Sequence, residues 1–471
     1  MQFTDFSFLF GFFPLVYLIY RFGIIRLHNT KAENTYLLIV SLLFYAWGSI
    51  HSLILLIIAL LFNWISAYEL NLLNESKANP KTKKQVLIGT IGINLLILFM
   101  YKYLDPWVGG FFSLFGANQI IPKLAMPIGL SFYLFSCMSY VFDVYREKAK
   151  PCSFVDFGVF VAFFGRVNMG PIGHYAKFEP QLKSHPLRSH LQREGAALFL
   201  QGFAYKILLA NSFMEVFNAL AGNTTWLGSV LHGFAFFFQL YFDFAGYSRM
   251  ARGLAGIFGF EIPANFDHPY STLSVQDFWR HWHISLTDWF REYVYIPLGG
   301  NRVNQKRWLI NVLIVWLFTG IWHGAQASFI VWGLLQAGMI LLERKFLNRY
   351  LEKLPNFFRH LYLILMTLIS WTFFSSPTLS EGLAWIGRYF MINTSGLYDA
   401  TALFYGQTYF IVFVLGILCC TTFIPRLSTK LHKNQRSLQP LLGVLGYGFV
   451  FILCLAMLIS QTSQTFMYAV F

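Results

Sequence analysis

Charge is scarce in this chain. Only 12% of its 471 residues are Asp, Glu, Lys or Arg, while 56% are hydrophobic. A soluble domain cannot hide that much apolar surface, so a soluble globular protein is excluded. Cysteines number five, Cys137, Cys152, Cys419, Cys420 and Cys454, and none falls in a CxxC or Cys/His zinc spacing. They read as small buried hydrophobes, and no metal site is expected. The first segment, FTDFSFLFGFFPLVYLIY, lacks a basic leader and an A-x-A cleavage site, so it reads as a retained helix. There is no G-x-S-x-G elbow, no glycine-rich P-loop, no internal repeat and no long linker or soluble domain.

What the chain does have is a series of apolar runs close to the length of a bilayer-spanning helix. Only helices or closed barrels can cross lipid, and these runs are too long and too uniformly apolar for barrel strands. The expected fold is an all-α, polytopic membrane helical bundle forming one domain over 1–471, with a motif-bearing core at 125–343. Runs are drawn at 5–22, 36–50, 52–69, 85–101, 125–143, 153–166, 196–220, 227–247, 308–326, 328–343, 361–376, 408–425 and 439–460. Some are short, which predicts about 10–12 spans plus re-entrant or interfacial pieces.

The net charge of +14 sits in short breaks between these runs, as it does in cytoplasmic loops. It is read as a topology signal and not as a nucleic-acid surface. The segment MQFTDF has no Lys or Arg, the next loop has Arg21, Arg26 and Lys31, GSIHS has none, and the following loop has Lys77, Lys81, Lys83 and Lys84. That alternation predicts an outside N-terminus. The basic stretches 343–360 and 426–436 are then inside, and 377–407, with Arg388 alone, is outside.

Segment 274–298 is too charged to span yet rich in aromatic residues. On one continuous helix, at about 100° per residue, Trp279, Trp282, His283, Leu286, Trp289, Phe290, Tyr293 and Pro297 share a face. Arg280, His281, Thr287, Asp288, Arg291 and Glu292 share the other, which predicts an amphipathic helix at the membrane boundary. His283 therefore faces the bundle, and His281 faces the charges near Asp288. The helix points this H-x-H pair apart, which disfavours metal. HISLTD (283–288) matches an H-x-x-x-x-D acyltransferase signature, but a helix would separate its His and Asp, and the companion motifs are missing.

His323, in GIWHGA, lies within one of the most apolar stretches. An ionisable group in a membrane segment is a functional candidate by default. A neutral imidazole there can take up a proton, as a general base must; the alternative is a helix-packing hydrogen bond. Asp143, Asn168 and Asp243 are the other polar residues in apolar surroundings. Asp143 can pair with Arg146, and Asp243 with Arg249. The glycines and proline of MGPIG predict a broken helix or re-entrant loop.

In order, PIGLSFYLFSCMSYVFDVYR, MGPI, QLYFDFAGYS, NFDHPYS, DFWRHWHISLTDWFREYVYIPLGGNR and WHGA together resemble the membrane-bound O-acyltransferases, over nearly the whole chain. Within that family the chain is most similar to the bacterial alginate O-acetylase branch, which includes peptidoglycan O-acetylating proteins. The D-alanyl transfer protein of teichoic acid modification is a more distant relative. The resemblance implies His323 as the catalytic residue and His283 as a second functional residue. Asn168, Asp243, Trp282, Trp322 and Arg280 are supporting or substrate-binding candidates. It also implies transfer of an acyl group, commonly acetyl, from a cytoplasmic thioester donor such as acetyl-CoA to a hydroxyl, with no bound cofactor. The protein is expected in the bacterial inner membrane, serving a destination outside it. His283 would donate to the oxyanion or orient the donor thiol; Arg280, Arg302 and Arg307 would hold donor phosphates or serve only as inside charge.

No soluble catalytic segment follows the last apolar run, so a polysaccharide acceptor would need a second protein. The resemblance implies a periplasmic, SGNH-type acetyltransferase as that partner. Gly165, His174 and Arg249 stand where the branch often has proline, arginine and an acidic or neutral residue, which weakens assignment to one polymer. The competing class is a transporter or flippase for a lipid-linked sugar, which broken helices and buried polar groups would also suit.

Overall fold

A computed structural model of the chain describes residues 1–113, 124–423, 439–460 and 466–467. The described residues form helices joined by short loops, with no strand among them. Among the described residues, seven helices are long and apolar enough to cross a membrane, including Ile50–Glu75, Pro80–Lys102 and Asn356–Ser375. Ala400–Thr408 and Phe410–Cys420, bent by 55°, make an eighth if counted as one span. The spans drawn at 125–143 and 153–166 correspond to the shorter helices Leu130–Tyr145 and Phe154–Ala162. The basic stretch 426–436 lies outside the described residues.

Two compact units emerge, one from Met1–Phe199 with Ser248–Pro263, the other from Leu200–Tyr247 with Ala264–Ala469. In the first, Ile50–Glu75 packs on Pro80–Lys102 and Leu130–Tyr145, and Thr30–Ala46 packs on Phe154–Ala162. Lipid supplies no hydrophobic drive between helices, so small and polar residues make these contacts. Asn63 and Asn94, both fully buried, exchange side-chain hydrogen bonds of 3.0 and 2.8 Å. Asn34 Nδ2 donates to Asp156 Oδ1 at 2.6 Å and to Leu182 O at 2.8 Å. The break expected at MGPIG is present: Phe154–Ala162 ends before residue 163, and the next helix is Tyr175–Lys183. Asp143 accepts from the Ala176 N–H at 2.9 Å, inside the first turn of that next helix.

In the second unit, Gln305–His323 lies against Ala327–Leu342, which packs on Asn356–Ser375. The segment expected as one amphipathic helix is instead two seven-residue helices, Val275–His281 and Ile284–Phe290, followed by a π-helical turn, Arg291–Tyr295. The face assignment survives the break for Trp279, Trp282, His283, Leu286, Trp289, Phe290 and Tyr293, all of which are buried. Pro297, beyond the helical turns, is exposed.

Candidate active site

His323 is the last residue of helix Gln305–His323. The glycines of GIWHGA explain how an imidazole is enclosed there. A Cβ on Gly320 would lie 2.5 Å from Phe329 O, and one on Gly324 would lie 2.8 Å from the Phe329 ring. Only glycine lets the following helix come this close, and that helix closes over His323. The imidazole is 4% exposed. Around it are Trp322 (4.6 Å between ring centroids), Phe374 (4.9 Å), Trp332 (5.1 Å) and Phe329 (6.1 Å).

His283 sits at the joint between the two short helices and is also buried. Its backbone is left-handed, with φ 44° and ψ 52°, a conformation disfavoured for a side chain with a Cβ. Strain of this kind costs of order 1–3 kcal/mol and persists only where the surroundings hold it. Here Asn265 holds it. Its Oδ1 accepts from the Ser285 N–H (3.1 Å), from Ser285 Oγ–H (2.9 Å) and from His283 Nδ1 (3.2 Å), while Asn265 O accepts from the Ile284 N–H (3.0 Å). These bonds supply acceptors for the second helix's first turn, whose N–H groups have no partner within the helix.

The same cluster fixes the imidazole's tautomer. A backbone N–H can only donate, so the shared Asn265 atom is the oxygen, and His283 Nδ1 must carry the proton. Nε2 is then the basic nitrogen. Burial pushes the His283 pKa below its ordinary value, which keeps the ring neutral. Its ring meets Phe244 at 4.6 Å and Trp322 at 6.2 Å. Trp322 thus touches both imidazoles.

Tryptophans and two buried polar residues fasten the helix before His283. Trp279 Nε1–H donates to Gln336 Oε1 (3.0 Å), and Gln336 Nε2 donates to Ser370 Oγ. Glu343, fully buried, accepts the Val275 and Gln276 N–H groups at 2.6 and 2.9 Å, tying down that helix's first turn. Trp282, 1% exposed, stacks on Phe278 at 5.4 Å, meets Phe266 edge-on at 5.0 Å and lies tilted against Trp371 at 4.9 Å.

The fold therefore gathers His283, His323, Trp282 and Trp322 in the buried part of the second unit. Arg280 is not among them: its side chain is 66% exposed and lies 3.7 Å from Asp277. It lines a polar cavity of about 550 Å³ with His281, His268 and Arg359. His281 meets Asp277 and not the expected Asp288, with Nδ1–H donating to Asp277 O at 2.9 Å. With the helix ended at His281, Asp288 belongs to the next helix. Asp243 forms a buried ion pair with Lys206 at 2.7 Å, where the sequence had offered Arg249. Asn168 belongs to the first unit and lines a separate cavity there. Asn265, Gln336 and Glu343 were missed by sequence reasoning. NFDHPYS contains Asn265, but nothing local to His283 marks a partner 18 residues upstream.

A family model for membrane-bound O-acyltransferases matches residues 35–380. The probable alginate O-acetylase AlgI of Azotobacter vinelandii is 34% identical over 82% of this chain and 77% of its own length. The peptidoglycan O-acetyltransferase of Helicobacter pylori is 29% identical over 80% of this chain and 77% of its own. The teichoic acid D-alanyltransferase of Bacillus subtilis is 31% identical over 38% of this chain and 48% of its own.

Proposed function

This multi-pass chain belongs to the membrane-bound O-acyltransferase family, and from that premise we propose that it moves an acetyl group from a cytoplasmic thioester to a hydroxyl, in the service of O-acetylating an extracytoplasmic polysaccharide. The relatives named for alginate and peptidoglycan acetylation match about 80% of the chain, whereas the D-alanyl transfer relative matches 38%. The observation that carries the chemistry is the pair of buried imidazoles, His283 and His323, both against Trp322.

In this reading His323 takes the proton of the attacking hydroxyl as its oxygen forms a bond to the thioester carbonyl carbon. The C–S bond then breaks, the sulfur leaves as a thiol, and the proton held on His323 goes to it. General-base help of this kind is worth roughly 10²–10⁴ in rate. His283 has its proton on Nδ1, committed to Asn265, so Nε2 acts as an acceptor. That favours orienting the donor thiol or the attacking hydroxyl over donating to the oxyanion. The polar cavity at Arg280 and Arg359 adjoins the stretch 343–360, read as cytoplasmic, and is our candidate entry for a donor such as acetyl-CoA. The acceptor hydroxyl belongs to the polymer or to a serine of a periplasmic, SGNH-type partner. The N-terminus is outside and the membrane is the bacterial inner membrane.

The test uses inside-out membrane vesicles given radiolabelled acetyl-CoA. Label should appear on a hydroxyl acceptor and vanish with His323→Ala. Movement of a lipid-linked sugar without any acetyl transfer would replace this reading with a transporter.

A further inference from the structure

When a hydroxyl adds to a thioester carbonyl, the carbonyl oxygen takes on negative charge, and fast reaction depends on hydrogen-bond donors already in place for it. His283 does not fit that role, because its one N–H is committed to Asn265. Suitable donors stand on the helix that closes over His323.

That helix, Ala327–Leu342, begins after the short link Gly324, Ala325 and Gln326. Ser328, Trp332 and Gln336 follow one another at four-residue spacing and share one of its faces. All three are buried, at 1%, 1% and 3% exposure. The same face serves both halves of the site. Trp332 meets the His323 ring edge to face at 5.1 Å, and Gln336 holds Trp279, in the helix that leads to His283.

The polar atoms of this face differ in what they bind. Gln336 uses both ends of its amide, accepting from Trp279 and donating to Ser370. Ser328 Oγ and Trp332 Nε1 are fully enclosed and have no hydrogen-bond partner among the described residues. Phe374 and Trp371 pack on the Trp332 indole at 5.2 and 5.9 Å, and such rings are weak acceptors at best. A buried donor without an acceptor weakens a fold, so two of them on the face beside one imidazole call for an acceptor that arrives with the substrate. The helix end acts in the same direction. Ser328 is its second residue, and Gln326 before it makes no side-chain cap. The first N–H groups of a helix have no partner within it, and the positive end of the helix dipole favours negative charge.

We propose that Ser328 Oγ–H and Trp332 Nε1–H form the oxyanion hole of this enzyme, with the thioester carbonyl held between them and His323. This rests on the acetyltransfer reading above and supplies its charge-stabilising donors. As the attacking oxygen bonds to the carbonyl carbon, the C=O π pair moves onto the carbonyl oxygen, which accepts both hydrogen bonds. That pair then re-forms C=O, the C–S bond breaks with its electrons on sulfur, and the proton held by His323 goes to the sulfur.

The test measures release of free CoA from acetyl-CoA by inside-out vesicles carrying the full chain. Ser328→Ala and Trp332→Phe each delete one donor and keep most of the packing. Each should lower kcat by about 10²–10³-fold and leave KM for acetyl-CoA nearly unchanged. Two analogues are then titrated by calorimetry against the full chain in lipid nanodiscs. S-ethyl-CoA has no carbonyl, whereas the hydrated ketone of trifluoroacetonyl-CoA offers a tetrahedral carbon bearing oxygens, as the intermediate does. The wild type should bind the trifluoroketone more tightly than S-ethyl-CoA. Both variants should lose that preference yet bind S-ethyl-CoA as the wild type does, which also shows that they fold. Wild-type kcat in either variant overturns the proposal. So does an equal loss of both analogues, which would make the residue a packing one. Wild-type vesicles that release no more CoA than vesicles lacking the protein would sink the acetyltransfer reading itself.

Discussion

Gly333 lies against Gly320 so closely that a Cβ on Gly333 would come within 3.2 Å of the Gly320 Cα and 2.5 Å of Trp316 O. The two helices on either side of His323 meet at this point, and the contact sets how tightly the imidazole is enclosed. Alanine at either glycine must push backbone, not a flexible side chain. Gly320→Ala and Gly333→Ala should each cost about 1–3 kcal/mol through overpacking. Thermal unfolding in detergent measures this, and an unchanged melting temperature in both would contradict the close approach.

Removing the proposed base should be severe. His323→Ala is expected to lower acetyl transfer by about 10²–10⁴ while the protein stays in the membrane at ordinary abundance. Quantifying O-acetyl groups on the cell's polymer checks it, and near wild-type acetylation would end the catalytic role.

The two histidines of RHWHISL should behave oppositely. His283 is 2% exposed and fixed by Asn265, while the His281 side chain is 32% exposed and faces the polar cavity. His283→Gln should therefore be damaging and His281→Gln mild, judged by acetyl-CoA turnover at matched expression. The reverse order would refute the assignment.

Asn265 gives a subtler test. Asn265→Ala removes the acceptor for the Ser285 N–H and leaves the His283 tautomer unfixed, so turnover should fall by about tenfold or more, within the range of one acid–base contribution. Asn265→Asp keeps an oxygen in place and should retain more activity than alanine. An alanine variant as active as the aspartate variant would show that the bond does not matter.

Lys206 and Asp243 are each 2% exposed, so the ion pair has little water to fall back on. Lys206→Met leaves the carboxylate with the Met467 N–H (2.8 Å) and no cation, and should destabilise the protein by about 3–5 kcal/mol. The double variant Lys206→Met with Asp243→Leu should regain much of that loss. Chemical or thermal melts of the single and double variants decide it, and a double variant no more stable than the single one would argue against a simple buried pair.

Composition and periodicity were enough to establish a helical membrane protein, because lipid leaves a spanning chain so few alternatives. The burial of His283 and His323 was also legible, His323 from its apolar run and His283 from the aromatic face it shares with Trp282 and Leu286. The break at MGPIG could be read from its glycines and proline. Other features depended on residues far apart in sequence. Asn265, 20 residues before Ser285, breaks the expected single helix at His283. Lys206, 37 residues before Asp243, takes the partnership that local spacing gave to Arg249. Glu343 anchors a helix that begins 68 residues earlier. Periodicity reports which face of a segment is apolar, since that depends on neighbours three or four residues away. Which buried polar groups find each other depends on how helices are brought together, and that was decided only by the packing of the folded chain.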